Sequence, residues 1–164
     1  MNRAIPFHEP IDREAGGVPA HLIVCEPSGR WAVALRRELG PSARVFETRS
    51  VAECWERLAR SPGSFVVVEA TAGNLEPLLA KMARRHREFP AARVAVVAER
   101  TFVANSLADR EWLLREAGAV LLVTSPRRAG LLAGLASRHL AERPEPPREA
   151  TERIWAELPW TAAR

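Results

Sequence analysis

The feature that most constrains this chain of 164 residues is an uninterrupted apolar run, Phe65–Val68, which is followed by Glu69. Three of its four residues are β-branched valines, which favour a strand. A strand with one wet face would alternate apolar and polar residues, whereas four apolar residues in succession require cover on both faces. The run therefore predicts a central strand of a parallel sheet that carries helices on both sides.

Weaker runs of the same kind occur on either side of it, and each is followed by apolar residues at helical spacing. The predicted strands span 21–25, 44–48, 64–69, 93–98 and 120–124, and the predicted helices span 30–39, 51–60, 74–89, 109–117 and 126–141. Each crossover is long enough for a right-handed return to the sheet. The sequence thus predicts an α/β fold with three layers, α/β/α, and a five-stranded parallel sheet of flavodoxin-like order 2-1-3-4-5.

Local signals place several helix ends. Ser50 and Glu53 have the spacing of a capping box, in which each side chain satisfies a free backbone amide. Ser28 and Asp109 are the expected caps of the first and fourth helices, and Ser125 with Pro126 begins the fifth.

The two ends of the chain differ from the middle. Residues 1–20 are polar and interrupted by proline and glycine, which predicts a flexible leader before a domain at 21–142. Residues 143–164 begin as a Pro-rich linker and continue as a short amphipathic segment. Its apolar residues are Ile154, Trp155, Leu158 and Trp160. Two interpretations stay open: the segment docks into a groove on a partner, or it folds back onto its own domain.

Composition excludes several classes of function. No run of 18 apolar residues exists, and no secretion signal is visible, so we expect a cytoplasmic protein. The two cysteines, Cys25 and Cys54, match no metal or redox spacing and are expected to be reduced core thiols. The histidines are scattered and no phosphate-binding glycine loop is present, so no metal and no cofactor are predicted.

The carboxyl ends of the strands decide between families with this architecture. The segments 22–26, 65–69, 94–98 and 116–126 resemble the first, third, fourth and fifth strands of response-regulator receiver domains, including an Ala-Gly-Ala turn before the fifth strand and a proline after it. The resemblance covers roughly residues 21–141. It implies a bacterial protein of two-component signalling.

In that family the first strand ends in an acidic pair that binds magnesium, and the third ends in the aspartate that is phosphorylated. The fourth ends in Thr or Ser, the fifth in Lys-Pro, and an aromatic switch residue stands three positions before the lysine. Here these positions hold, in order, Cys25 and Glu26, Glu69, Ala98, Ser125 and Leu122. A thiol is a poor magnesium ligand, and an acyl phosphate would lack its lysine and hydroxyl partners. The resemblance thus implies a pseudo-receiver that is not an enzyme.

Glu69 allows two interpretations. A carboxylate one methylene longer than aspartate can resemble the phosphorylated state, or it can lie at a solvated strand end without a role. Because Ala98 and Leu122 remove the elements that would respond, the second interpretation is favoured here.

We therefore expect a phosphorylation-independent protein-protein interaction module, either a docking domain or a homodimer. The family's habit of docking through the fourth helix and fifth strand makes Trp112, Leu113 and Phe102 the candidate contact residues, together with the C-terminal tryptophans. A nucleic-acid-associated regulator is the alternative, since the third helix carries Lys81, Arg84, Arg85, His86 and Arg87. A small enzyme with a pocket at the carboxyl ends of the strands is the second alternative.

Overall fold

A computed structural model describes residues 20–41, 43–99, 102 and 107–142. The elements, in chain order, are β1 (Leu22–Cys25), α1 (Arg30–Leu39), β2 (Val45–Thr48), α2 (Val51–Arg60), β3 (Phe65–Ala70), α3 (Leu75–Glu88), β4 (Arg93–Ala98), α4 (Leu107–Glu116), β5 (Ala119–Val123), a 3₁₀ turn (Pro126–Arg128) and α5 (Ala129–Ala141). Nearly all of the expected leader, and the whole C-terminal segment after residue 142, lie outside these ranges.

The five strands form one parallel sheet in the order β2-β1-β3-β4-β5. The predicted fold class and strand order are confirmed. In the register of the sheet, Cys25 at the end of β1 pairs with Thr48 of β2 on one side and with Val68 of β3 on the other. The pocket described below lies at this carboxyl edge.

Apolar side chains fill both faces of the sheet, which is why β3 has no polar alternation: all six of its residues are buried. One core lies under α2, α3 and α4, and its largest members include Trp55, Leu78 and Met82. The second lies under α1 and α5, around Trp31, Leu35 and Leu132. In the described residues, no helix is long and apolar enough to cross a membrane.

The helix N-termini in the structure agree only in part with those predicted from the sequence. Ser50 Oγ accepts a hydrogen bond from the amide of Glu53, as the capping box predicts, but the Glu53 carboxylate accepts from the amide of Arg49 rather than from that of Ser50. The fourth helix begins at Leu107, so Asp109 lies in its first turn and does not precede it.

Arg85 corrects the predicted basic face of the third helix. Its side chain is 2% exposed and its Nη1 donates to the carbonyl oxygen of Ala92 at 2.6 Å. A buried guanidinium must be hydrogen-bonded, and this bond ties the end of α3 to the start of β4. The exposed basic face is therefore smaller than the sequence predicts, because one of its arginines points inward.

Both ends of the described domain meet at the edge opposite the pocket. The amide of His21, just before β1, donates to Ser64 Oγ at 3.0 Å. The Nε2 atom of His139, near the end of α5, lies 2.8 Å from the carbonyl oxygen of Gly63. The short turn between α2 and β3 thus holds both the first strand and the last helix.

Candidate functional site: a pocket at the carboxyl edge and an exposed helix face

A cavity of about 310 Å³ opens at the carboxyl ends of β1 and β3. It is bounded by the first turns of α2 and α3 and by the loop after β1. Its lining residues are Cys25, Glu26, Pro27, Arg49, Ser50, Val51, Glu69, Asn74 and Pro77. Three of the predicted pocket residues, Cys25, Glu26 and Glu69, are thus brought together.

Glu26 caps α1 more fully than Ser28, the cap that the sequence predicts, whose Oγ accepts only a long hydrogen bond of 3.5 Å from the amide of Arg30. The Glu26 side chain is buried, and its two oxygens accept hydrogen bonds from the amides of Trp31 at 2.9 Å and Ala32 at 2.6 Å. These are amides of the first helical turn, which have no partner inside the helix. A carboxylate at a helix N-terminus is further stabilised by the helix dipole. Both oxygens of Glu26 are therefore directed to the protein backbone.

Glu69 is not at a solvated strand end. The residue is 5% exposed, and its Oε1 lies 3.4 Å from Nη2 of Arg30. The same Nη2 atom lies 3.2 Å from Oε1 of Glu99, after β4. One arginine at the start of α1 thus bridges carboxylates from the ends of two neighbouring strands.

Burial raises the pKa of Glu69 above its ordinary value, the nearby Arg30 guanidinium acts in the opposite direction, and the carboxylates of Glu26 and Glu99 raise it further. Loss of hydration and repulsion from two acids therefore outweigh the attraction of one half-exposed arginine. The surroundings of Glu69 therefore disfavour its ionised form, and the guanidinium of Arg30 offsets part of this effect.

The pocket walls are fixed by side chains that bond to the strand ends. Asn74 donates to the carbonyl oxygen of Glu69 and accepts from the amide of Thr71, both at 2.8 Å. Arg49 Nη1 donates to the carbonyl oxygen of Glu26 at 2.9 Å. The backbone around both acidic residues is therefore held from two directions.

The two remaining predicted pocket residues, Ala98 and Ser125, and the predicted switch residue Leu122 do not line this cavity. Ala98, at the end of β4, is fully buried, and Leu122 of β5 packs against the core under α2, α3 and α4. Ser125 caps the 3₁₀ turn, where its Oγ accepts from the amide of Arg127. None of the three lines the pocket.

The residues at this edge do not fit a magnesium ion. Magnesium prefers several oxygen ligands in octahedral order. Here both oxygens of Glu26 accept helix amides, Glu69 faces an arginine, and Cys25 offers a soft sulfur. Within the described ranges, no three His, Cys, Asp or Glu side chains are grouped closely enough to hold a metal.

A second region of interest is the α4–β5 face, which we define as the exposed apolar residues Trp112, Leu113 and Val120. Trp112 is 61% exposed, and the other two are 41% exposed. Beside them on α4, Arg115 pairs with Glu111 at 2.8 Å, so charged groups border the apolar surface. An exposed tryptophan of this kind is a typical anchor of a protein interface.

The other candidate contact residues are placed differently. Phe102 is half-buried and packs against the core, with the guanidinium of Arg110 4.5 Å from its ring centroid. The C-terminal residues Ile154, Trp155, Leu158 and Trp160 lie outside the described residues. The α4–β5 face therefore contains two of the residues expected from the sequence, and adds Val120 to them.

Two features of the site were missed in the sequence. Arg30 was predicted only as the start of the first helix, although a residue that opens a helix after a strand end lies over the carboxyl edge of the sheet. Cys25 and Cys54 were expected only as core thiols, and the structure places both in the one core under α2, α3 and α4. Their distance in sequence gave no signal of this.

Comparison with solved structures identifies the same fold in three proteins. A response regulator from Thermotoga maritima superposes with a TM-score of 0.60 at 22% identity, covering 76% of this chain and 99% of the other. A CheY-like protein (tadZ) from Pseudomonas aeruginosa gives a TM-score of 0.57 at 18% identity, covering 73% of this chain and 98% of the other. A putative pilus assembly-related protein from Burkholderia pseudomallei gives a TM-score of 0.50 at 18% identity, covering 76% of this chain and 91% of the other.

No protein-family model matches the chain, and no curated protein matches it. At these identities the likeness concerns the fold. The chain thus has the fold of these proteins, which agrees with the resemblance seen at the strand ends.

Proposed function

We propose that this receiver-like domain is a signalling module that binds another protein through the α4–β5 face, without phosphorylation and without catalysis. The proposal rests on the observation that the pocket carboxylates are already hydrogen-bonded to, or paired with, other groups of the same chain. Glu26 accepts two helix amides and Glu69 faces Arg30.

Phosphorylation on a carboxylate needs a free oxygen nucleophile and a cation that neutralises the incoming phosphoryl group. Glu69 is buried and paired, and its charge is already opposed by Arg30. Glu26 cannot turn toward a metal without leaving two buried amides unpaired, a loss of about 1–3 kcal/mol for each group. These contacts support a pocket that stays in one arrangement.

The α4–β5 face supports the binding role. Its tryptophan contributes a large apolar surface, and the Arg115–Glu111 pair beside it supplies charges for the rim of an interface. Interfaces commonly combine a few buried aromatic anchors with a polar border. We therefore propose another protein as the partner, in the cytoplasm, with a second copy of this chain as one form that it can take.

Site-specific crosslinking in the native host tests the binding role. A photoreactive amino acid at Leu113 is expected to capture one defined partner, and the same group at Ser137, exposed on α5, serves as the matched control. Trp112→Ala should abolish capture from position 113. Equal capture from both positions, or capture that Trp112→Ala leaves unchanged, would contradict the proposed face.

Treatment with acetyl phosphate and magnesium tests independence from phosphorylation. We expect the intact mass of the protein to stay unchanged and capture at position 113 to be the same with and without the phosphodonor. A mass gain of one phosphoryl group that also alters capture would refute this part of the proposal.

A further inference from the structure

Basic and aromatic side chains come together at the amino edge of the sheet, where β1 and β2 begin. Leu22 pairs with Val45 in the register of these two parallel strands, so His21 and Arg44 lie side by side one residue earlier. Because side chains alternate along a strand, both point to the same face of the sheet as Ile23. That face carries the core under α2, α3 and α4.

The ring of Phe46, on β2, connects these two residues to α2. The ring centroids of His21 and Phe46 are 4.6 Å apart. The guanidinium of Arg57, in the last turn of α2, lies over the same Phe46 ring with its Cζ atom 3.8 Å from the centroid. Stacking on an aromatic face fixes the position of a guanidinium and leaves its N–H donors free for another group. We call His21, Arg44, Phe46 and Arg57 the amino-edge cluster.

The two arginines of the cluster have no acidic partner in the part of the chain that the structure describes. Neither Arg44 nor Arg57 forms an ion pair or a side-chain hydrogen bond there. Glu47, the acid on β2, alternates to the opposite face of the sheet and pairs with Arg36 and Arg49. Two guanidinium groups from neighbouring elements are therefore open to a ligand of negative charge.

The environment of His21 agrees with a positive potential at this edge. Partial burial lowers the pKa of His21 below its ordinary value, and the charges of Arg57 and Arg44 lower it further. The backbone amide of His21 already donates to Ser64 Oγ, which holds the residue in place. An anion bound beside the imidazole would reduce the repulsion among these three side chains.

We propose that the amino-edge cluster binds a phosphate group, held by the guanidinium groups of Arg44 and Arg57 and by the ring of His21. Phosphate carries more charge than a carboxylate and offers more acceptor oxygens, so it matches two guanidinium forks and an imidazole better. The carrier is either free phosphate or a nucleotide. This site lies at the edge of the sheet opposite the cavity and does not depend on the α4–β5 face.

Titration of inorganic phosphate into the full-length protein tests the site, with the imidazole resonances of His21 in NMR spectra as the reporter. We expect these resonances to shift in a saturable way. Sodium chloride at matched ionic strength is the control for screening of the surface charges. The absence of a shift at millimolar phosphate, or a shift of the same size with chloride, would overturn the proposal.

Variants of the two arginines test which groups hold the anion. Arg57→Gln should weaken phosphate binding about tenfold in the same titration, because a charge-assisted contact is lost. Arg44→Gln, at an exposed position, should act similarly and decides the matter if Arg57→Gln does not fold. Arg87→Gln, exposed on α3, makes the same change in net charge and should leave the affinity unchanged. Equal weakening by Arg87→Gln would overturn the proposal, since binding would then follow net charge alone.

A variant that keeps every charge tests the role of the aromatic ring. Phe46→Leu removes the surface on which Arg57 is stacked and should lower the affinity for phosphate several-fold. If this variant does not fold, Arg57→Lys replaces it, because lysine keeps the charge but lacks the planar fork. An affinity equal to that of the wild type in the variant that folds would contradict a site built on a fixed guanidinium.

A nucleoside monophosphate, titrated in parallel, identifies the carrier. Tighter binding than that of inorganic phosphate assigns the group to a nucleotide, and equal or weaker binding assigns it to free phosphate. Saturation with either probe should raise the pKa of His21, because a nearby anion favours the protonated imidazole. If the pKa of His21 stayed the same at saturation, the anion would lie elsewhere and the proposed site would be wrong.

Discussion

The side chains of the carboxyl-edge pocket and those of the α4–β5 face differ in polarity and in burial. In the pocket, Glu26 is hydrogen-bonded to two amides and Glu69 is paired with an arginine, and both carboxyl groups are almost fully buried. On the α4–β5 face, Trp112 is a large apolar side chain that is mostly exposed. Polar groups are thus buried and partnered in the first region, while an apolar group is exposed in the second.

The contrast distinguishes the side chains that stabilise the fold from the side chains that other molecules can contact. Burial of a charge is tolerated only with partners, so the pocket residues contribute to the fold and resist rearrangement. Exposure of a tryptophan adds little to the fold and is typical of a surface with an external role. Substitutions in the two regions should therefore have unequal effects on stability.

The largest effect on stability is expected at the α1 cap. Glu26→Ala removes both acceptors from the buried amides of Trp31 and Ala32, which should lower the free energy of unfolding by about 3 kcal/mol. Urea denaturation measures this. Glu56→Gln, on an exposed position of α2, is the control and should change stability by less than about 0.5 kcal/mol. Equal effects at both sites would remove the contrast between the regions.

A smaller effect is expected at the turn that joins α4 to β5. Gly118 has φ +98°, and a Cβ there would lie 3.1 Å from His86 Nε2 and 3.2 Å from Arg85 Nη2. Gly118→Ala should therefore cost about 1–2 kcal/mol of unfolding free energy. Gly134→Ala, in α5 with open space around it, should instead stabilise by about 0.5–1 kcal/mol. Thermal denaturation of both variants checks the opposite signs.

Glu69 should affect the pH dependence of stability. Its pKa is raised in the folded state, so the folded protein binds the proton more tightly than the unfolded chain. Its contribution is fully present below the ordinary pKa near 4.5 and is lost as pH rises through the raised value.

Glu69→Gln removes this titration. Stability of the variant, measured by urea unfolding from pH 4 to pH 8, should fall less with rising pH than that of the wild type, by less than about 1 kcal/mol. Glu116→Gln, exposed on α4, should leave the profile unchanged. A variant profile identical to that of the wild type would mean that Glu69 is not held at a cost.

The smallest effect on stability is expected on the α4–β5 face. Trp112→Ala should change the free energy of unfolding by less than about 0.5 kcal/mol, because its side chain is mostly exposed. Leu114→Ala, two residues away on the same helix but fully buried, should cost about 2–4 kcal/mol. If Trp112→Ala were as destabilising as Leu114→Ala, the tryptophan would be structural and the face would lose its proposed role.

The sequence predicted the architecture well because burial on both faces leaves a direct pattern. Phe65–Val68 has no polar interruption, and its position in the middle of the sheet follows from that alone. Arg85 shows how the same reasoning can be incomplete. It follows Leu78 and Met82 at helical spacing, so its inward position was indicated by the period, but its charge led to an exposed assignment.

The pocket was less predictable because its partners are distant in sequence. Glu26 could be recognised as an acidic residue at a strand end, but its role depends on the direction in which α1 leaves the loop. The Arg30–Glu69 pair joins residues 39 positions apart, and Cys25 and Cys54 share one core only because α2 packs on β1. Such contacts arise from tertiary packing and have no local periodicity.

The hydrogen bonds of His21 and His139 to the turn before β3 determine where the domain can be linked to a dye or to a surface. Because both ends of the described domain are held at the amino edge, the segments before residue 20 and after residue 142 are joined to it close together. A dye or a surface linker attached at residue 20 or at residue 142 would therefore be anchored on the side away from the cavity. The domain can be immobilised at these two residues while the cavity stays open to solvent.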